Sequence, residues 1–251
     1  MSGDGLAAAD LIARSVADVV GAAGRSVIVH GSVVAGGFRP GRSDIDLLVV
    51  VEGGLTDEQA TAIEDVVRGS DTGPAAGVDL HVVTAAAAAG PSPAPALELY
   101  LGRHRGSPTL EVERRVAASP DLATELSMAR ADGRALVGAP PADVIGPVPP
   151  GWIVDRGRYW LTTWRSSTDD ADHAAFMVLT ACRIWRYALE ERYCSKPRAA
   201  AWALDRDPAL TVVRQAVRQY EHDPATVVDE RGVADLLDTV LRETGSRSGR
   251  M

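Results

Sequence analysis

His30-Gly31-Ser32-Val33-Val34-Ala35-Gly36-Gly37-Phe38-Arg39-Pro40-Gly41-Arg42-Ser43-Asp44-Ile45-Asp46-Leu47-Leu48-Val49 is the stretch on which the reading of this chain turns. The β-branched run Ser26–His30 stops at Gly31-Ser32, where a helical turn is expected to begin. Such a turn presents unpaired backbone N–H groups beside a hydroxyl, a cradle for phosphate oxygens. A glycine-rich loop then leads into Asp44-Ile45-Asp46. In extended backbone, side chains at i and i+2 share a face with Cα atoms ~6.5–7 Å apart, so both carboxylates converge on one space. Neighbouring carboxylates repel unless a cation sits with them, and Mg²⁺ takes one or two carboxylates plus phosphate oxygens. Leu47 to Val51 is apolar without alternation, which marks a strand buried on both faces. An acidic start to such a strand is costly unless something binds there.

Working outward, Leu6 to Val20 carries Ile12, Val16 and Val19 at helical spacing, and Thr56 with Gln59 reads as a capping box opening a helix to about Arg68. Val78 to Val83 is a third strand candidate. Residues 90–118 are Ala/Pro-rich and then charged, and are expected to be loop; a helix is expected over 120–137. Five prolines between Pro140 and Pro150 read as a linker. After it come helices at about 152–166, 170–191, 197–205, 209–220 and 226–242, with no strand among them. The expected fold is α+β: a small mixed sheet with helices over residues 1–149, then an all-α bundle over 150–251. The tail Ser246–Met251 has no apolar anchor and is expected to fray.

The chain has 251 residues, with 26 Lys+Arg against 34 Asp+Glu, a formal charge of −8. At 46% apolar and 24% charged it is a globular composition, long enough for a core without staples. No apolar run reaches the ~18 residues of a membrane span, and no basic n-region precedes an apolar stretch near Met1. Cys182 and Cys194 alone make neither a disulfide framework nor a zinc site. The expectation is a reduced, cytoplasmic chain, a monomer or weak dimer. Its acidity disfavours nucleic acid as partner and favours a cationic or metal-bridged ligand.

Gly31-Ser32, eleven intervening residues and Asp44-Ile45-Asp46 resemble the signature of the polymerase-β-like nucleotidyltransferases. That superfamily's third acid lies on a later strand, and Asp79, which begins the apolar run Leu80–Val83, is the candidate here. Leu136–Pro141, Asp143–Pro149, Leu179-Thr180-Ala181-Cys182-Arg183-Ile184-Trp185 and Ser195-Lys196-Pro197 onward to Leu204 narrow this to a resemblance to the aminoglycoside 3''/9 adenylyltransferases. It runs from about residue 10 to 242.

The resemblance implies a nucleotidyltransferase domain followed by a helical domain, and transfer of AMP from ATP to a substrate hydroxyl with release of pyrophosphate. It places Gly31 and Ser32 on the triphosphate, Asp44, Asp46 and Asp79 on two Mg²⁺ ions, and Arg183 and Lys196 on the nucleotide phosphates. The family's catalytic Glu falls on Asp79, one methylene shorter. Helical spacing separately sets Arg183, Arg186 and Glu190 apart from the apolar face Val178, Cys182, Trp185 and Leu189. The acceptor is expected to be cationic and sugar-like, held by Trp164, Asp169, Asp172 and His173, since carboxylates pair ammonium groups and an indole covers a ring. Two departures bear on the drug: His173 falls where an Asp assists streptomycin recognition, and His104 lies where a substrate-lining Trp is expected. Rival readings are a nucleotidyltransferase acting on another metabolite or on a protein, as antitoxin-like relatives do, and a silent nucleotide-binding regulator.

Overall fold

Ala-rich residues Ser2–Val20 form α1, which buries Ile12, Val16 and Val20 along one stripe. The computed structural model describes residues 2–245, so the tail expected to fray lies outside the described residues. The chain divides into two units, Met1–Val148 and Pro149–Met251.

In the first unit α1 is followed by β1 (Gly24–His30), β2 (Ile45–Val51), α2 (Asp57–Gly69), β3 (Gly77–Thr84), α3 (Ala85–Ala89), β4 (Leu97–His104), β5 (Glu111–Val116), α4 (Leu122–Asp132), β6 (Arg134–Gly138) and α5 (Pro141–Val144). The capping box is present at α2, with Gln59 N donating to Thr56 Oγ1 at 3.2 Å and Thr56 N to Gln59 Oε1 at 3.1 Å. The strands form one sheet ordered β5-β4-β3-β2-β1-β6; β2 and β3 run parallel and the other neighbours antiparallel. Val27, Val29, Leu47, Val49, Leu80 and Val82 pack in one core with α1 and α2. Ile28, Leu48, Val50 and Val83 pack in another with Leu122, Leu126 and Ala129 of α4. The unalternating run of β2 is thus buried on both faces, as its composition implies.

Three expectations are revised in this unit. Residues 90–118 are not loop: β4 buries Leu97, Leu99 and Leu101 at alternate positions and pairs with β3. The period-2 pattern is short and sits inside Ala/Pro-rich and charged sequence. β5 (Glu-Val-Glu-Arg-Arg-Val) is almost wholly exposed and carries no core signal; its ladder to β4 holds it, with Arg114 Nε at 2.8 Å from Glu64 and Arg115 Nη2 at 2.6 Å from Asp57. A charged edge strand of this kind discourages further pairing. The helix expected over 120–137 ends at Asp132, and residues 134–138 instead form β6 against β1. Gly133 makes the turn possible, because a Cβ there would lie 2.2 Å from Ala129 O and 2.8 Å from Ile28 Cγ2. The proline-rich stretch that follows is not a free linker either, since it contains α5 and buries Ile145.

The second unit comprises α6 (Pro150–Trp164), α7 (Ala174–Glu190), α8 (Lys196–Arg206), α9 (Thr211–Glu221) and α10 (Glu230–Gly245), with no strand among the described residues. Val178, Cys182 and Trp185 of α7 pack with Ala199, Ala203, Val213 and Leu237 in one core. Gly157 on α6 admits Ile184 of α7: a Cβ there would lie 2.7 Å from Ile184 Cγ2. Arg158 ties α6 to the end of α10 by donating to Leu241 O at 2.6 Å and Thr244 Oγ1 at 2.8 Å. No described helix is long and apolar enough to cross a membrane.

Candidate active site

Sheet register gathers the acidic positions of the first unit. His30 pairs with Asp46, Asp46 with Asp79 and Asp79 with Gly102, so one row crosses four strands at a single rim of the sheet. Beyond His30 the chain makes a 3₁₀ turn over Gly31–Val33, with Ala35 N donating to Gly31 O at 3.0 Å and Gly37 N to Ser32 O at 3.2 Å. Gly31 has φ +65°, and a Cβ on it would lie 2.1 Å from Asp46 Oδ2. The expected turn is therefore present, and Asp46 rests its carboxylate against the Gly31 backbone.

Asp44 precedes β2 and keeps different company. Ligand atoms of Asp44, Asp79 and His104 all lie within 4.8 Å of one another, and Asp46 is outside that group. The imidazole stands between the two carboxylates, Nδ1 at 3.7 Å from Asp44 Oδ1 and Nε2 at 3.7 Å from Asp79 Oδ1. Gly77 makes this approach possible, since a Cβ there would meet Arg103 O at 2.4 Å, Asp44 Oδ1 at 2.7 Å and His104 Nδ1 at 2.8 Å. A cleft that a Cβ would fill, ringed by two carboxylates and an imidazole, fits a divalent cation.

Asp79 is the most constrained of the acids. Tyr100 Oη donates to its Oδ1 at 2.8 Å, and Gly102 leaves room for that hydroxyl, because a Cβ there would lie 2.5 Å from it. Burial pushes the Asp79 carboxyl above its ordinary value, Asp44 and Glu111 push the same way, and the Tyr100 hydrogen bond and His104 oppose. Burial beside Asp79 also raises the Tyr100 phenol. Asp46 and Asp79 open onto a cavity of about 290 Å³ whose walls add Glu113, Asp121 and Glu125.

Two histidines near this cavity are held neutral. His30 is fully buried, Nδ1 lies 3.7 Å from Glu125 Oε2, and burial drives its pKa down to about 3; His81 falls to about 4 for the same reason. With folded values below the unfolded ~6.5, both groups stabilise the fold above that pH and lose the contribution as pH falls toward the folded values. Between pH 6 and 5, urea unfolding is expected to take up more than one proton from this pair, each steepening stability by up to ~1.4 kcal/mol per pH unit. His30→Leu should remove its share of that slope; an unchanged slope refutes the assignment.

In the second unit, Arg183 is half-buried on α7, and Lys196 opens α8 with Nζ 4.5 Å from the Phe176 ring centroid and 5.5 Å from that of Tyr220. Trp164 stacks on Trp160 at 5.9 Å and meets Phe176 edge-on at 5.6 Å, so Trp164, Phe176 and Lys196 form one continuous patch. Trp164 also packs against the helical core. Asp169, Asp172 and His173 are exposed, and His173 Nδ1 lies 2.8 Å from Asp170 Oδ2. Sequence reasoning missed Tyr100 and gave His104 no part in the acidic cluster, because both lie on the strand read as loop. The alternation of Leu97, Leu99 and Leu101 was the available signal.

Comparisons with known proteins bear on this geometry. Residues 11–93 match the family described as "Nucleotidyltransferase domain", and residues 143–243 match "Aminoglycoside adenylyltransferase, C-terminal domain". An aminoglycoside (3'') (9) adenylyltransferase of Escherichia coli is 30% identical over 209 residues, 79% of each chain. A namesake from Klebsiella pneumoniae is 30% identical over 82% of each. The chain belongs to the aminoglycoside (3'') (9) adenylyltransferase family. A crystal structure of a spectinomycin adenyltransferase from Enterococcus faecialis, solved with ATP and spectinomycin, shares its fold at a TM-score of 0.69. It is 17% identical, covering 92% of this chain and 96% of that one. As a member of an adenylyltransferase family with a nucleotidyltransferase domain, this chain is an enzyme, and its α+β fold is that of the family.

Proposed function

We propose that this adenylyltransferase moves AMP from ATP to a hydroxyl of a cationic aminocyclitol or aminoglycoside of the spectinomycin or streptomycin type, releasing pyrophosphate. The observation that carries the reading is Asp79: a carboxylate with a raised pKa, oriented by Tyr100, beside Asp44 and opening onto an acid-walled cavity. A base whose pKa lies closer to working pH takes a hydroxyl proton more readily than an ordinary Asp.

In this scheme Ser32 and the turn at Gly31 hold triphosphate oxygens, and Arg183 and Lys196 of the helical unit engage the nucleotide phosphates. Asp44, Asp46 and Asp79 are the metal-holding carboxylates. Bound Mg²⁺ neutralises phosphate charge and acidifies the acceptor hydroxyl. Asp79 accepts the hydroxyl proton, the freed oxygen bonds to the α-phosphorus, and the bond to the β-phosphate oxygen breaks as pyrophosphate departs. Trp164 covers a sugar or cyclitol ring, and Asp169 and Asp172, with His173, face its ammonium groups. The surplus of carboxylates around the cavity supports a cationic acceptor over a neutral or anionic one.

Mass spectrometry of an aminocyclitol and aminoglycoside panel, incubated with the purified protein, ATP and Mg²⁺, tests the reading. The expected result is a product heavier by one AMP residue on at least one member. AMP transfer to lysate proteins alone, or ATP binding with no transfer, would overturn it.

A further inference from the structure

The geometry points to His104 as a nitrogen ligand that gives this enzyme's own metal site a preference for a first-row transition ion over Mg²⁺. The inference rests on the proposed reading of Asp44 and Asp79 as metal-holding groups, and goes beyond it in donor set and ion. Each ring nitrogen of His104 stands 3.7 Å from a carboxylate oxygen, Nδ1 from Asp44 and Nε2 from Asp79. That is too long for a hydrogen bond. One ion can take only one of the two nitrogens; with a single ligand atom from each of Asp44, Asp79 and His104, the three lie within 4.8 Å of one another, which a small side-chain rotation closes to the spacing of donors around one divalent ion.

Backbone enforces the arrangement. Gly77 pairs with His104 in the β3–β4 ladder, and a Cβ at Gly77 would collide with Asp44 Oδ1 and His104 Nδ1 as well as Arg103 O. A glycine is thus required on β3 for an imidazole on β4 and an acid ahead of β2 to meet. Asp46, turned toward Gly31, is left outside this trio. Hard oxygen donors suit Mg²⁺, which binds few nitrogen ligands, whereas an imidazole raises affinity along the transition series from Mn²⁺ upward. Mn²⁺ is the weakest binder of that series, so a preference measured with it is a lower bound.

The test uses the full chain without nucleotide or acceptor. Mn²⁺ titration followed by electron paramagnetic resonance, with Mg²⁺ as competitor, is expected to give Mn²⁺ affinity at least ~10-fold above that for Mg²⁺. Pulsed measurement of the bound Mn²⁺ should show ¹⁴N coupling from an imidazole. His104→Gln should lose that coupling and narrow the Mn²⁺/Mg²⁺ ratio to within about threefold, while Asp44→Asn weakens both ions. Mn²⁺ bound without ¹⁴N coupling, a ratio unchanged in H104Q, or no Mn²⁺ binding below about 1 mM overturns the inference. A wild-type protein that shows the coupling yet transfers no AMP would refute the proposed reaction and leave the ligand assignment standing.

Discussion

Asp79→Asn is expected to lower AMP transfer by about 10³-fold or more, with the fold intact. The amide oxygen still accepts the Tyr100 hydroxyl that now reaches Asp79 Oδ1 at 2.8 Å, and the side chain keeps its volume. What is lost is the negative charge, and with it the proposed base and metal-holding group. The effect on stability has the opposite direction. A carboxyl whose folded pKa lies above its unfolded value favours the fold below the unfolded pKa and loses that contribution as pH rises through the folded value. At neutral pH the buried charge therefore costs stability, and the metal-free D79N protein should melt no lower than wild type. Its advantage should shrink as pH falls below the ordinary carboxylate range. A variant with near-normal turnover, or one that melts well below wild type at pH 7, would show that Asp79 is structural.

Gly31→Ala is expected to cost about 10²-fold in kcat/KM and ~1–2 kcal/mol in stability. The stability loss follows from φ +65°, which an L side chain resists. Activity falls for a separate reason: the methyl would occupy the place of Asp46 Oδ2, 2.1 Å away, so the carboxylate must swing off the rim. Gly21 provides the control, with φ +56° and nothing within 4 Å of where a methyl would stand, so Gly21→Ala should show the strain without the kinetic defect. Kinetics paired with denaturant unfolding separates the two effects. Equal kinetic loss in both variants would remove Asp46 from the argument.

The parts of this molecule that sequence announced are those where one local rule acted alone. β2 was visible because five apolar residues follow Asp46, and α2 because Thr56 and Gln59 cap it. The helical unit was visible because its apolar faces recur over whole helices. In the Arg-Ile-Trp and Ser-Lys segments, Trp185 and Trp202 turn out to meet edge-on at 5.4 Å, so much of what made those motifs recognisable is packing. β5 and β6 stayed hidden because partners, not their own residues, make them strands: β5 is a charged edge held by β4, and β6 is short and half-exposed against β1. Losing β4 to a loop reading also hid Tyr100 and the reach of His104, both of which depend on register across the sheet. Asp44 and Asp46 were legible as a pair, but not their different neighbours, since those depend on Gly77 standing beside the one and Gly31 beside the other.

The pairing of β6 with β1 has a consequence for how the gene can be cut. A fragment stopping at Asp132 would contain every acidic strand yet bare the hydrogen-bonding edge of Val27–Val29, an invitation to intermolecular strand addition. Protection of that edge comes from residues 134–138, and Ile145 then seals the α4 side. A swap joint placed after Val148 would keep that seal, so recombination there could exchange the helical unit while leaving the sheet whole.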